Sequence, residues 1–415
     1  MIGELVAKAS PGLRAMTSPG FFGWVIGGSH PAGVAADWLA SAWGQNTGNF
    51  MATPAAAAVE QVSANWLLEL LDLPRAASVG FVTGATMANF VGLAAARGEL
   101  LSRAGWDVGN DGLFGAPPIR VLIGADAHAT VFSALRYLGL GSARVTSIDT
   151  DDSGRMDAKA LETALGESDG PALVVAQAGQ LNTGASDPFA EICPIAHEHG
   201  AWVHVDGAFG LWAQASPRLR HLTQGVELAD SWATDGHKWL QLPYDSGFVI
   251  VKDRAAHLRA MSLETSYLPS AAGGERQPAD YVPELSRRAR GFAAWTVIRA
   301  LGRSGIVEMI ERHCEFAAAL GRECAGIAGI RVVAPVVLNQ LLLRFGESDE
   351  ATLATVEEVQ RRGRIFAGPA LWRGEWVMRI SVCNYATGME HLGGVREEIA
   401  AAWETVGQRQ SANAA

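Results

Sequence analysis

The nine residues Ser231-Trp-Ala-Thr-Asp-Gly-His-Lys-Trp239 carry the strongest indication of the fold and chemistry of this chain. Their lysine, Lys238, follows a short apolar run that has the pattern of a buried strand. The run Ala201-Trp-Val-His-Val205 has the same pattern and is followed by Asp206, 32 positions before the lysine. An acid and a lysine therefore both stand at the ends of predicted strands.

An acid and a lysine in these positions fit the chemistry of pyridoxal 5′-phosphate (PLP). A carboxylate can keep a pyridine nitrogen protonated, and a lysine amine can form a Schiff base with an aldehyde. Each motif alone has an ordinary explanation, because a buried aspartate after a strand is usually a hydrogen-bonded turn residue and a His-Lys pair is usually at the surface. The prediction therefore depends on several such motifs following one order along the chain.

Composition and charge exclude several classes of protein. A chain of 415 residues, 49% hydrophobic and 18% charged, predicts a large domain plus a smaller one. The net charge of −10 and the pI near 5.5 argue against a nucleic acid or an anionic membrane as partner. The four cysteines have no paired spacing, which favours a reducing compartment. No run of uncharged residues approaches the ~20 that a membrane span needs. Together these features predict a cytoplasmic protein. No metal site is predicted, because Cys193, His197 and His199 fall on different faces of a helix.

Short apolar runs alternate with alanine-rich helical stretches along most of the chain. Such alternation predicts an α/β fold with a largely parallel sheet and helices on both faces. Beyond a proline-containing region at 268–284, the pattern changes to that of a small α+β C-terminal domain. The predicted strands are 120–124, 172–176, 201–205 and 247–251 in the large domain, and 329–333, 339–343 and 376–382 in the small one.

Two further motifs stand at predicted strand ends. Gly80-Phe-Val-Thr-Gly-Ala-Thr86 has the pattern of a strand, a small-residue turn and a helix start, where free backbone N–H groups suit a phosphate. An ordinary capped helix has the same pattern. His128 in Gly124-Ala-Asp-Ala-His-Ala-Thr130 can stack on an aromatic ring, although a turn histidine is the common case. No Gly-x-x-x-x-Gly-Lys-Ser/Thr motif is present, which argues against a nucleotide phosphate loop.

The order of phosphate loop, histidine, acid and lysine resembles that of the PLP-dependent group II amino acid decarboxylases, which include the aromatic-L-amino-acid and glutamate decarboxylases. The resemblance extends to Ser18-Pro-Gly-Phe-Phe-Gly-Trp24 and Arg287-Arg-Ala-Arg290. It implies the fold-type I architecture of aspartate aminotransferase, with a mainly parallel seven-stranded sheet. It also implies a homodimer in which an N-terminal segment, 1–50, packs on the partner subunit, followed by a PLP-binding domain, 51–290, and a C-terminal domain, 291–415.

The same resemblance implies roles for individual residues. Lys238 would carry PLP as an internal aldimine, and Asp206 would pair with the pyridinium nitrogen. His128 would stack on the ring, and His237 would neighbour the cofactor as a possible proton carrier. The other implied cofactor contacts are Ala85, Thr86, Asn182, Ala208 and Asp235.

Tyr267, in Leu263-Glu-Thr-Ser-Tyr-Leu268, is the implied proton donor of the reaction. In the family a loop tyrosine at this kind of position protonates the carbanion, and relatives that lack it tend to form aldehydes. The resemblance thus implies a carboxy-lyase that converts an L-amino acid to an amine and CO₂. An aldehyde synthase, a C–C lyase, an aminotransferase and a PLP-binding protein without activity are the alternatives. The 13 tryptophans favour an aromatic substrate.

Three positions depart from the family pattern or leave a role open. Where many relatives have Gly-Thr-Thr, this chain has Leu181 in place of a hydroxyl, and Asn182 is the candidate to replace its hydrogen bond. Asp235 would place a carboxylate near a phosphate, which is unfavourable unless the carboxylate is paired or turned away. Arg379 has the position at which related folds bind the substrate carboxylate, a role more natural for an aminotransferase than for an enzyme that expels that carboxylate, and a structural salt bridge is an equal alternative.

Overall fold

The computed structural model describes residues 1–263 and 274–414. Its larger sheet consists of β1 Ser78–Val82, β2 Arg120–Gly124, β3 Val145–Ile148, β4 Ala172–Gln177, β5 Trp202–Asp206, β6 Ser231–Asp235 and β7 Gly247–Val251. The seven strands lie in the order β1-β7-β6-β5-β4-β2-β3, and β7 alone runs antiparallel to its neighbours. The predicted α/β fold with a mainly parallel seven-stranded sheet is confirmed.

Helices cover both faces of this sheet. In chain order, the helices of this part of the chain are α1 Ile2–Ala9, α2 Pro31–Trp43, α3 Pro54–Leu70, α4 Ala85–Arg103, α5 Val108–Asp111, α6 Ala129–Tyr137, α7 Ala158–Gly166, α8 Phe189–Glu198, α9 Arg254–Met261 and α10 Gly291–Ala325. In β4, Val174 and Ala176 enter the core shared with α3, α7 and α8, whereas Leu173 and Val175 enter the core shared with α4, α6 and α9. Because both faces of β4 are buried, its sequence is a continuous apolar run rather than an alternating one.

A second sheet follows in the C-terminal part. It consists of β8 Ile330–Val332, β9 Gln340–Phe345, β10 Gly368–Trp372 and β11 Glu375–Ser381, with α11 Asp349–Arg362 and α12 Leu392–Ala414 packed beside it. Its strands are all antiparallel, in the order β10-β11-β9-β8. The edge strand β10 lies outside the predicted runs because its sequence begins with Gly-Pro, a pair that is unusual in strands except at sheet edges. None of the helices described is long and apolar enough to span a membrane.

The long helix α10 links the two sheets. Its first half contributes Val297 and Ile298 to the core of the large sheet, and its second half contributes Phe316 and Leu320 to the core of the small one. The helix is interrupted at Gly302, which has φ 61° and ψ 178°. The predicted boundary between 51–290 and 291–415 falls at the start of α10, and this division stays a prediction.

The N-terminal 50 residues contact the rest of the same chain at several points. The N–H of Phe22 donates to the carbonyl of Phe366 at 2.8 Å, and the carbonyl of Phe22 accepts from the N–H of Ser381 at 3.0 Å. Helix α2 packs against α10, yet Trp38 and Trp43 of α2 remain 71% and 52% exposed. The segment is therefore anchored on its own chain while it keeps an apolar surface exposed.

Candidate active site

The carboxyl ends of parallel strands meet at one edge of the large sheet, the usual place for a ligand site in such folds. A cavity of about 370 Å³ opens there. It is lined by Trp24, Val25, Thr83, Gly84, Ala85, Thr86, His128, Thr130, Gln177, Gly179, Leu181, Asp206, Ala208, Phe209, Asp235, His237, Lys238 and Arg379. Of the predicted site residues, Asn182 does not line the cavity, and Tyr267 lies outside the residues that the structure describes.

Lys238 lies in the turn that follows β6. The N–H groups of Gly236 and His237 both donate to the carbonyl of Ser246, at 3.0 and 3.1 Å, and this holds the turn against the next strand. The neighbouring Trp239 is fully buried and donates its Nε1–H to His313 Nδ1 at 2.9 Å. The backbone of Lys238 is therefore anchored, while its side chain lines the cavity.

Asp206 ends β5 and is 7% exposed. The N–H of Ala208 donates to its Oδ1 at 3.3 Å. Burial raises the pKa of Asp206, and the positive charge of the nearby Lys238 opposes that rise. Asp206 forms no ion pair with any residue in 1–263 or 274–414. A buried carboxylate without a direct cationic partner favours a ligand that brings a positive N–H, as a protonated pyridine does.

The start of α4 forms another wall of the cavity. Gly84 is its N-cap residue and supplies no side-chain cap, and Thr86 in the first turn is exposed. A helix start of this kind suits a phosphate, because its N–H groups point outward and the helix dipole favours negative charge. The first amide, that of Ala85, already donates to Asp235 Oδ1 at 2.6 Å. The residues present thus fit a pyridine ring with a phosphate, held between Asp206 and the start of α4.

Two histidines flank the site. His128 is the N-cap of α6, and its Nδ1 accepts from the N–H of Thr130 at 3.3 Å. His237 Nδ1 accepts from the N–H of Ser246 at 3.2 Å, and its ring stacks on Tyr244 at 4.4 Å between centroids. Burial lowers the pKa of both histidines. Because each Nδ1 is an acceptor, the proton of each neutral ring lies on Nε2.

The loop after β4 brings Leu181 to the cavity and turns Asn182 away from it. Asn182 is buried, and its Oδ1 faces Arg379 Nη1 at 3.4 Å. Arg379 itself lines the cavity and forms no ion pair within the described part of the chain. The cofactor contact of Asn182 therefore stays a prediction. A structural salt bridge of Arg379, one of its two alternatives, is not observed among the described residues.

Several cavity residues escaped prediction from sequence. Gln177 ends β4 beside Asp206, so a search of every strand end would have found it. Trp24 and Val25 arrive from the N-terminal segment, with φ of 54° and 57° in the left-handed region that non-glycine residues rarely adopt. The next cavity residue in the chain, Thr83, follows Val25 by 58 positions, so no local pattern in the sequence indicates that the two residues reach the site.

The fold and the site together define an enzyme that holds PLP at the strand ends of an α/β domain. A family model described as the pyridoxal-dependent decarboxylase conserved domain matches residues 1–342. This chain belongs to the pyridoxal-dependent decarboxylase family.

Individual relatives match along nearly the whole chain. The chain is 30% identical to aromatic-L-amino-acid decarboxylase of Sus scrofa, with 95% of this chain and 85% of that protein covered. It is 29% identical to tryptophan decarboxylase 1 of Oryza sativa subsp. japonica, with 97% and 82% covered. The crystal structure of Oryza sativa TDC with PLP and tryptamine superposes with a TM-score of 0.88 at 26% identity, over 98% of this chain and 86% of that one.

Family membership confirms the predicted cofactor and enzyme class. The protein is a PLP-dependent carboxy-lyase. The roles of the individual site residues stay predictions, although Lys238, Asp206, His128, His237, Ala85, Thr86, Ala208 and Asp235 all line one cavity.

Proposed function

We propose that this enzyme decarboxylates an aromatic L-amino acid to the corresponding amine and CO₂. The observation that carries the proposal is the convergence of Lys238 and Asp206 on one cavity at the strand ends of the large sheet. The names of the relatives, aromatic-L-amino-acid decarboxylase and tryptophan decarboxylase, support the reaction and the substrate class.

Different residues of the cavity contribute different steps of the proposed reaction. Bound PLP supplies a sink for the two electrons that departing CO₂ leaves on the substrate. Asp206 maintains this sink by holding a proton at the pyridine nitrogen, and Lys238 holds the cofactor between turnovers. His128 flanks the ring, and the start of α4 with Thr86 receives the phosphate. Tyr267, which lies outside the described residues, is the proposed donor of the proton that replaces the carboxylate.

The apolar part of the cavity wall supports an aromatic substrate. Trp24, Phe209 and Leu181 line this part of the cavity. The side chain of Trp24 is 56% exposed, and its ring lies 5.2 Å from that of Phe366 between centroids. A flat aromatic side chain gains dispersion and edge contacts from such walls. A carboxylate side chain would meet Asp206 and Asp235 in the same cavity and be repelled by them.

Arg379 is the proposed recognition group for the carboxylate of the incoming amino acid. Its guanidinium reaches the carbonyl of Leu181 at 3.5 Å and Asn182 Oδ1 at 3.4 Å, which are both long contacts. Burial lowers the pKa of Arg379, and no carboxylate within 1–263 or 274–414 forms an ion pair with it. A carboxylate from the substrate would supply that ion pair.

We also propose a cytoplasmic homodimer with the divisions 1–50, 51–290 and 291–415. The exposed Trp38 and Trp43 give the N-terminal segment an apolar surface of the kind that a partner subunit covers. The four cysteines are all free, which supports a reducing compartment.

The test is incubation of the PLP-loaded enzyme with pooled L-amino acids, with CO₂ and new products followed by mass spectrometry. Lys238→Ala serves as the matched inactive variant. We expect an aromatic amine and an equal amount of CO₂ from the native enzyme and neither from the variant. An aldehyde with ammonia and hydrogen peroxide, or a keto acid, would overturn the proposed reaction. An aliphatic or acidic amine would overturn the proposed substrate class only.

A further inference from the structure

Asp235 occupies an unusual place at the end of β6. It is 2% exposed, and its Oδ1 accepts from the N–H of Ala85, the first residue of α4, at 2.6 Å. The same Oδ1 lies 3.3 Å from His237 Nε2, and Oδ2 lies 3.0 Å from Lys238 Nζ. One buried carboxylate therefore joins the start of a helix, a histidine and the lysine that holds the cofactor.

The surrounding backbone confines this carboxylate. A Cβ added to Gly84 would lie 3.1 Å from Asp235 Oδ1 and 2.9 Å from His237 Cε1. A Cβ added to Gly247 would lie 2.4 Å from the Cα of Gly84. The glycines thus allow β6, β7 and the start of α4 to approach closely. Asp235 is held against the start of α4 with little space in which to turn away.

This arrangement weakens the binding of a phosphate at the start of α4 without preventing it. The start of α4 is the phosphate site that the cavity offers, and Asp235 already takes its first amide. Two anions at one helix start repel each other and compete for the same N–H donors. The side-chain contacts of Asp235 do not remove this repulsion, because Lys238 must leave its ion pair with Asp235 when it engages the cofactor.

We propose that Asp235 is a positioning residue that lowers the affinity of the enzyme for PLP by opposing its phosphate group. Occupancy of the active site then follows the supply of PLP, and the enzyme passes readily between loaded and empty forms. The carboxylate in return caps α4 and keeps Lys238 at the cavity while the site is empty.

The first test is the equilibrium binding of PLP to the apoenzyme, measured by ultrafiltration and by cofactor absorbance. Asp235→Asn keeps an oxygen acceptor for the N–H of Ala85 but removes the charge. It should bind PLP at least about tenfold more tightly than the native enzyme, since a charge pair at close range in a partly buried site is worth several times the thermal energy. Asp152→Asn, at an exposed position, removes the same charge and should change PLP affinity less than about twofold.

A second ligand isolates the phosphate. Pyridoxal lacks that group, so its affinity should differ little between the native enzyme and Asp235→Asn. Equal tightening of pyridoxal and PLP would overturn the proposal, because the effect would then arise at Lys238. Unchanged or weaker PLP binding by a folded Asp235→Asn would overturn it as well.

Thermal unfolding of each apoenzyme shows whether the variant is folded. Asp235→Ser, which also removes the charge and keeps an oxygen, replaces Asp235→Asn if that variant does not fold, and the same tightening is required of it. These measurements use no amino acid substrate. Their outcome is therefore separate from that of the proposed aromatic decarboxylation.

Discussion

Burial controls the charge of the groups that line the active site. It lowers the pKa of His128 and His237, so both are neutral near pH 7 before any ligand enters. It raises the pKa of Asp206, so a positive partner is needed to keep that carboxylate ionised near pH 7. Such opposite shifts within one cavity are typical of acid and base groups that act on a common ligand.

Asp206→Asn should reduce turnover far more than it reduces cofactor binding. The amide is nearly the same size but cannot hold a proton on the pyridine nitrogen, so the electron sink is weakened in the transition state. We expect kcat to fall by about 10³-fold, which corresponds to ~4 kcal/mol of transition-state stabilisation. PLP affinity should fall by less than about tenfold. The measurements are steady-state kinetics and PLP titration of the same preparation.

Asp152→Asn provides the matched control for that prediction, since it makes the same chemical change at an exposed position. It should leave both kcat and PLP affinity unchanged. A loss of PLP binding by Asp206→Asn as large as its loss of kcat would contradict the role assigned to this carboxylate.

At the scale of elements, the interruption of α10 depends on one glycine. Gly302 has φ 61° and ψ 178°, a region that is essentially restricted to glycine, and nothing lies within 4 Å of an added Cβ. Gly302→Ala should therefore lower the free energy of unfolding by about 1–3 kcal/mol through backbone strain alone. Thermal or denaturant unfolding of the PLP-loaded enzyme gives the change.

Gly98 in α4 is the matched control, because an added Cβ there also meets nothing within 4 Å but the residue lies within a regular helix. Gly98→Ala should raise the free energy of unfolding by about 0.5–1 kcal/mol, since alanine loses less entropy in a helix. Equal effects of the two substitutions would show that the interruption of α10 carries no strain.

A buried ion cluster attaches α3 to the edge strand β1. Glu60 of α3 is fully buried, with Arg287 Nη1 at 2.7 Å from Oε1 and Arg276 Nε at 3.3 Å from Oε2. Arg287 Nη1 also donates to the carbonyl of Phe81 in β1 at 3.4 Å. The two arginines thus neutralise a carboxylate and satisfy the open edge of the large sheet.

Glu60→Gln should destabilise the enzyme by about 3–5 kcal/mol, because it leaves two buried guanidinium groups without their carboxylate. Glu69→Gln, at an exposed position of the same helix, should change stability by less than about 0.5 kcal/mol. Denaturant unfolding at a fixed PLP concentration compares the two. A similar small effect of both substitutions would rule out the proposed importance of the cluster.

For the whole molecule, three buried histidines determine how stability changes with pH. Burial lowers the pKa of His204, His257 and His313 to about 3 from 6.5. Between these values the unfolded chain binds protons that the native protein excludes, so stability falls as pH decreases through this range. Asp187, with a pKa raised by burial to about 7, and Asp206, whose pKa burial also raises, act in the opposite direction. The lowered pKa values of His128 and His237 act in the same direction as the three histidines.

The unfolding temperature should therefore be lower at pH 5.0 than at pH 7.5. A net uptake of roughly two protons on unfolding gives a slope of about 2–3 kcal/mol per pH unit. Calorimetry at saturating PLP measures it. His221→Gln, at an exposed histidine, should leave the slope unchanged. A protein equally stable at both pH values would contradict the neutral state of the three histidines.

Much of the large sheet was predictable from the chain because its strands are buried on both faces. The predicted strands 120–124 and 247–251 coincide with β2 and β7. The predicted strand 172–176 is one residue shorter than β4, and 201–205 is shifted by one residue from β5. The edge strand β10 was missed because its sequence contains Gly and Pro. Burial on two faces leaves a strong local pattern, and an edge strand leaves a weak one.

The sequence by itself determined the family, the cofactor and eight of the residues that line the cavity. Those residues stand directly after short apolar strands, and the ends of parallel strands must meet at one edge of the sheet. The tertiary structure was needed to show that Trp24 lines the cavity, that Asn182 faces Arg379, and that Asp235 holds the start of α4. These contacts join elements far apart in the chain. Their geometry depends on the packing of the whole fold, which no local pattern of residues records.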